Sequence, residues 1–310
     1  MMHHWSSAIL AVSTLLVPAA LAAEAPEWSD KVHPRIEKQA AAEGEAEFLI
    51  FLDEQADLAP VEGLRTKDER GRKVYELLTD AASRTQGPLI AWLAERGIPH
   101  RPYWIVNMIW ARADLDTVAE LAMRGDVRRL DANPRIRFEG PVPGEEPGAS
   151  AAPTAVEWGI SKVHADDVWA LGYDGSGIVV GCQDTGYDWD HPALIDHYRG
   201  WNGFAADHNY HWHDSIHSGG GICGADSPEP CDDHGHGTHT AGTVVGDDGG
   251  ANQIGMAPGA TWIGCRNMDR GTGTPATYTE CFEFFIAPTD LANENPDPSK
   301  APHVINNSWS

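Results

Sequence analysis

The residues best suited to moving a proton at neutral pH lie in Asp233-His234-Gly235-His236-Gly237-Thr238-His239-Thr240-Ala241-Gly242. Gly235 and Gly237 remove side-chain bulk on either side of His236. The Thr, Ala and Thr that follow, leading into Val244-Val245, can start a helix that packs closely against a sheet. An imidazole at the mouth of such a helix suits general acid–base work, because histidine titrates nearest neutrality. A lone histidine is more often a surface or core residue, so the reading needs a partner. Ile178 to Gln183 is a short apolar run that reads as a buried parallel strand. It ends in Asp184-Thr185-Gly186, which sets a carboxylate at the carboxyl end of a strand, where open α/β sheets keep their sites. An Asp184 carboxylate accepting from one ring nitrogen of His236 fixes the tautomer and steadies the imidazolium. Taken alone, Asp184 reads as a cap on the next turn.

Together the two stretches resemble the subtilisin-like serine peptidases, the subtilases. Asp184-Thr185-Gly186 with Asp188 and His191-Pro192 matches the aspartate motif, and His236-Gly237-Thr238-His239 with Ala241-Gly242 matches the histidine motif. Gly255-Met256-Ala257-Pro258-Gly259-Ala260 matches the segment that follows. Asp before His is also the family's chain order. The resemblance implies a three-layer α/β fold, a parallel sheet with helices on both faces. It makes Asp184 and His236 two members of an Asp-His-Ser triad. The family's serine sits in Gly-Thr-Ser-Met-Ala and its oxyanion asparagine in an Ala-Ala-Gly-Asn type stretch. Neither motif occurs in this sequence. The expectation is therefore a secreted endopeptidase whose serine and asparagine lie beyond Ser310. The competing expectation is a non-catalytic remnant whose prosegment binds peptidases.

The resemblance also assigns substrate contacts. Gly271-Thr272-Gly273 is similar to the small-residue segment that pairs with substrate backbone, and Ser308-Trp309-Ser310 to the opposing wall of the primary specificity pocket. Two such edges clasp an extended peptide by strand addition. Trp309, and Ser310 where the family usually has Gly, alter that wall. No cofactor is implied for the chemistry. Calcium stabilises many subtilases, but Ala193 and Gly249 stand where the common site supplies a carboxylate and an asparagine. Asp247 and Asp248 remain nearby as oxygen ligands.

The formal net charge of −24 argues against nucleic acid and anionic membrane as partners. Residues 1–22 read as a secretory signal peptide, with an apolar run from Ala8 and an Ala20-Leu21-Ala22 cleavage site, although no Lys or Arg precedes the run. Residues 23–138 read as a small α+β unit resembling the family's inhibitory prosegments. Its expected strands are Glu47–Leu52 and Tyr103–Trp110, with Val127–Leu130 leading into Ile136–Phe138. One helical pattern runs from Arg72 to Ala94 and a second from Leu115 to Ala122, after Asp114. Residues 139–153, rich in Pro, Gly and small side chains, read as a linker holding the maturation site. The peptidase part begins at Thr154. Its stretch from His197 to His217, with Cys223, Cys231 and His234 beyond, carries zinc-type ligands without zinc-type spacing, and reads as an irregular surface loop. Among the cysteines, Cys223 with Cys231 and Cys265 with Cys281 are candidate pairs, and Cys182 reads as a packed thiol.

Overall fold

The computed structural model describes residues 27–138, 156–250 and 253–309. The expected signal peptide, the linker and Ser310 lie outside the described residues. Among the described residues, no helix is long and apolar enough to cross a membrane.

The amino-terminal unit is built on four antiparallel strands: β1 (Ala46–Leu52), β2 (His100–Tyr103), β3 (Met108–Ala113) and β4 (Val127–Ala132), in the order β2-β3-β1-β4. Its helices are α1 (Pro34–Glu43), α2 (Lys67–Thr85), α3 (Gly87–Glu95) and α4 (Leu115–Ala122). Strand β1 alternates, as a period of two requires. Phe48, Ile50 and Leu52 join a core with Ile36 of α1, Leu89 and Leu93 of α3, and Leu121 of α4. Leu49 points to the opposite face, where it packs with Tyr103, Met108 and Ala276 from the second half of the chain.

Two expected elements divide. The run from Tyr103 to Trp110 is a hairpin rather than one strand, turning through Asn107 at φ +40°. The buried Asn107 side chain holds the turn by donating to the Glu54 carbonyl at 2.7 Å and the Thr85 hydroxyl at 2.8 Å. The helical pattern from Arg72 to Ala94 breaks at Gln86, because Pro88 suits the first turn of a new helix and not the interior of an old one. A third stretch, expected only to follow Val127–Leu130, crosses to the other half of the chain. Strand β5 (Ile136–Arg137) leaves the first sheet and pairs with the second half of the chain.

The second half opens with short helices α5 (Trp158–Lys162) and α6 (Ala165–Ala170). Its central sheet comprises β6 (Val179–Asp184), β7 (Trp212–Asp214), β8 (Thr261–Arg266) and a last strand, Val304–Asn306, all parallel. That last strand lies next to β6, and β8 separates β6 from β7. Helix α7 (His236–Val245) covers one face, with Ala241 and Val245 against Val180, Cys182 and Trp262. Helix α8 (Pro275–Ile286) covers the other, with Phe284 and Phe285 against Ile263 and Cys265. Gly181 faces α8, where a Cβ would come within 2.9 Å of Pro302 and 3.0 Å of Phe285. Disulfides join Cys223 to Cys231 and Cys265 to Cys281, while Cys182 is a buried free thiol pushed up to about 12 by burial.

The His-rich stretch is not wholly an irregular surface loop. It contributes β7 to the sheet, and Trp212, Asp214 and Ser215 are buried. Its short length and polar neighbours hid it, since Trp212 alone marks an apolar position. Among the described residues, no three His, Cys, Asp or Glu side chains gather as a metal-binding group. Two further short strands, β9 (Met268–Asp269) and β10 (Thr272–Gly273), form a small antiparallel sheet with β5, in the order β5-β10-β9. The Val304–Asn306 strand completes the count as β11.

Candidate active site

Asp184 is the last residue of β6 and is fully buried. His236 is the first residue of α7, with its side chain 13% exposed. They meet across 2.7 Å, His236 Nδ1 to Asp184 Oδ1. The same carboxylate accepts from the Thr185 amide at 2.8 Å and the Thr240 hydroxyl at 3.3 Å. Burial pushes the Asp184 carboxyl up, and the bonds from His236 and Thr185 pull against it. With Nδ1 held, Nε2 is the nitrogen left for proton transfer.

Close backbone approach allows this meeting. A Cβ on Gly237 would lie 2.1 Å from the Gly186 carbonyl oxygen, and one on Gly186, at φ +109°, would lie 1.8 Å from that of Cys231. Only glycine fits either place. Helix α7 has no side-chain cap of its own at Gly235. Its first amides are satisfied from outside: Gly237 donates to Thr185 Oγ1 at 2.9 Å, and Thr238 to Asp232 Oδ2 at 3.0 Å.

Asp232 was not singled out by the sequence reading, yet it organises the junction. Its Oδ1 accepts from Thr185 Oγ1 at 2.9 Å and from the His234 and Gly235 amides at 3.0 and 2.8 Å. Its Oδ2 also accepts from Thr238 Oγ1 at 2.6 Å, and that hydroxyl receives the Asp188 amide at 2.9 Å. One carboxylate thus ties the residue after Asp184 to the turn that presents His236. Asp-Asp-His-Gly is a turn signature that could have flagged it.

The expected substrate segments divide. Thr272 and Gly273 form β10, which pairs with β9 on one side and with β5 of the same chain on the other, Thr272 opposite Arg137 and Gly273 opposite Ile136. The Phe138 amide donates to the Gly271 carbonyl at 2.7 Å, and the Phe138 ring lies 4.2 Å from the His236 ring. On the other side, Ser308 Oγ donates to Asn306 Oδ1 at 3.0 Å. Trp309 stacks on Tyr278 at 4.0 Å, and its Nε1 donates to the Gln183 carbonyl at 3.0 Å.

A second cluster joins the two halves away from His236. Glu280 of α8 accepts from Arg101 at 2.8 Å, His213 at 3.0 Å, His217 at 2.8 Å and the Tyr103 hydroxyl at 3.3 Å. His217 also lies against Arg101, and its other nitrogen meets Asp226 at 2.5 Å. Burial opposes ionisation of Glu280, but the bonds from His213 and His217 hold it well below the usual carboxylate range. One turn along, Glu283 accepts the Trp104 and Ile105 amides, and burial pushes it up to about 8.

Residues 175–310 match the sequence model described as the subtilase family. Over 215 residues the chain is 38% identical to bacillopeptidase F of Bacillus subtilis (strain 168), an overlap of 67% of this chain and 14% of that protein. It is 30% identical over 179 residues to the alkaline protease of Alkalihalobacillus alcalophilus, covering 56% of this chain and 40% of that one. Among solved structures, a mutant of the epidermin leader peptide processing serine protease from Staphylococcus aureus superposes with a TM-score of 0.51. That match covers 76% of this chain and 47% of the other at 10% identity, a likeness of fold alone. The chain spans less than half the length of these three relatives.

Proposed function

Since the chain belongs to the subtilase family through residues 175–310, we propose that it carries the aspartate and histidine of a secreted serine endopeptidase whose serine and oxyanion asparagine lie beyond residue 310. The observation that carries this reading is the 2.7 Å bond from His236 Nδ1 to a fully buried Asp184. In this mechanism His236 Nε2 takes the proton from the serine hydroxyl as it attacks the peptide carbonyl. Asp184 holds the ring and stabilises the imidazolium. His236 then protonates the leaving amine, and water releases the acyl group.

The amino-terminal unit acts as an inhibitory prosegment in the same proposal. Strand β5 lies antiparallel on β10 and brings Phe138 over His236. An extended segment pairing with an exposed edge is how a peptide substrate would bind. Residues 139–153 then contain the maturation site, and residues 1–22 direct export.

The test is hydrolysis of a peptide or protein substrate by the product of the longer reading frame. Turnover that disappears in His236→Ala, with the fold retained by circular dichroism, supports the assignment. Undiminished turnover in that variant removes it.

A further inference from the structure

The pairing of β5 with β10 fixes a register at the cleft. Ile136 and Phe138 are half-buried and Arg137 is exposed, the alternation of a strand with one face covered. Phe138 does not meet His236 alone. The His234 ring stands edge-on to Phe138 at 6.4 Å and 76°, and the two imidazoles are 6.4 Å apart at 67°. The Phe138 ring is tilted 48° to that of His236 at 4.2 Å. Three rings in such tilted and edge-on arrangements gain beyond the area they bury, because the edge of one meets the face of another.

His234 is fixed for this role. Its amide donates to Asp232, and its ring lies beside Gly271, where a Cβ would come within 3.1 Å of Nε2. Gly271, at φ +75°, also supplies the carbonyl that holds the Phe138 amide. The contacts of Asp184 with His236 do not involve the His234 ring. Among the described residues, that ring makes no hydrogen bond, and it lies 6.4 Å from the Phe138 and His236 rings. Its position suits selection of a substrate side chain.

We propose that His234 is a specificity-determining residue. With His236 it forms an aromatic notch that selects an aromatic side chain, at the position Phe138 now holds, from an extended peptide substrate. The inference rests on reading this cleft as the substrate site of a peptidase. Aliphatic side chains of similar volume bury comparable area there but lack the ring quadrupole, so they bind less tightly.

The notch and its occupant lie in one chain, so the contact is read from amide exchange at position 138 in the whole 310-residue chain. Protection in Phe138→Tyr should match that of the parent chain, and Phe138→Leu should lose about fivefold. In a His234→Ala background the difference between phenylalanine and leucine at position 138 should shrink to less than about twofold. Equal protection for phenylalanine and leucine, or a difference that His234→Ala leaves undiminished, overturns the proposal. Absence of turnover in the proposed complete enzyme would overturn the peptidase reading while leaving these exchange results intact.

Discussion

Two buried carboxylates serve histidines in this molecule, and they do so differently. Asp184 holds one histidine by one nitrogen, leaving His236 Nε2 for chemistry. Glu280 receives two histidines and an arginine, and His217 meets carboxylates through both of its nitrogens. A ring held on both sides has no nitrogen left to take a proton from a substrate. Their acidities are shifted in opposite directions as well. Burial leaves Asp184 raised, whereas the bonds from His213 and His217 carry Glu280 below its ordinary range. The first arrangement fits proton transfer and the second fits docking, because Glu280 joins helix α8 to Arg101 and Tyr103 of the amino-terminal unit.

The sharpest way to break the comparison is at the Asp184–His236 pair. In the proposed enzyme, completed by a serine beyond residue 310, Asp184→Asn should lower kcat on the order of 10⁴-fold, the scale for a triad aspartate that sets the tautomer. Glu280→Gln in the same protein should leave kcat within a few-fold, as measured once the amino-terminal unit has been removed. Next comes Asp232→Asn, which loosens the turn carrying His236. It should cost on the order of 10²-fold in kcat, the scale for a small misplacement of a reacting group. A pH profile with a displaced limb would separate loss of positioning from simple destabilisation.

On the docking side the effects are on stability. Glu280→Gln leaves Arg101, His213 and His217 without their shared carboxylate. It should cost about 3 kcal/mol in urea unfolding of this chain, the lower range for breaking a buried pair. The smallest effect expected is at Glu283. Its carboxyl is raised to about 8 in the docked chain, so its protonated form is favoured there. The associated stability is complete below the ordinary carboxylate range and is lost as pH rises through about 8. Exchange of the Trp104 and Ile105 amides should accelerate across that window, and Glu283→Gln should flatten the response. An unchanged pH response in Glu283→Gln would assign the effect to another group.

The sequence made the pairing of Asp184 with His236 legible because its geometry depends on local signals. An apolar strand ending in Asp184, and glycines flanking His236, state where two side chains must emerge. The parallel sheet was legible for the same reason, since β6 and β8 are apolar runs. Strand β7 was not, because three residues with one tryptophan give no period. Asp232 escaped because its function lies in five hydrogen bonds to three separate parts of the junction, a matter of tertiary position. Thr272 and Gly273 were expected to meet an extended peptide, and the prosegment to bind the peptidase part. The structure pairs them with Arg137 and Ile136, a register that no propensity of either pair announces.

The account depends most on His236 carrying its proton on Nδ1, toward Asp184, with Nε2 bare when the ring is neutral. Nitrogen-15 NMR of the histidine rings in the 310-residue chain reads this directly. The account predicts a protonated Nδ1 and an unprotonated Nε2 for neutral His236, with the preference lost in Asp184→Asn. A neutral ring protonated on Nε2, or a tautomer mixture that Asp184→Asn leaves unchanged, would contradict it.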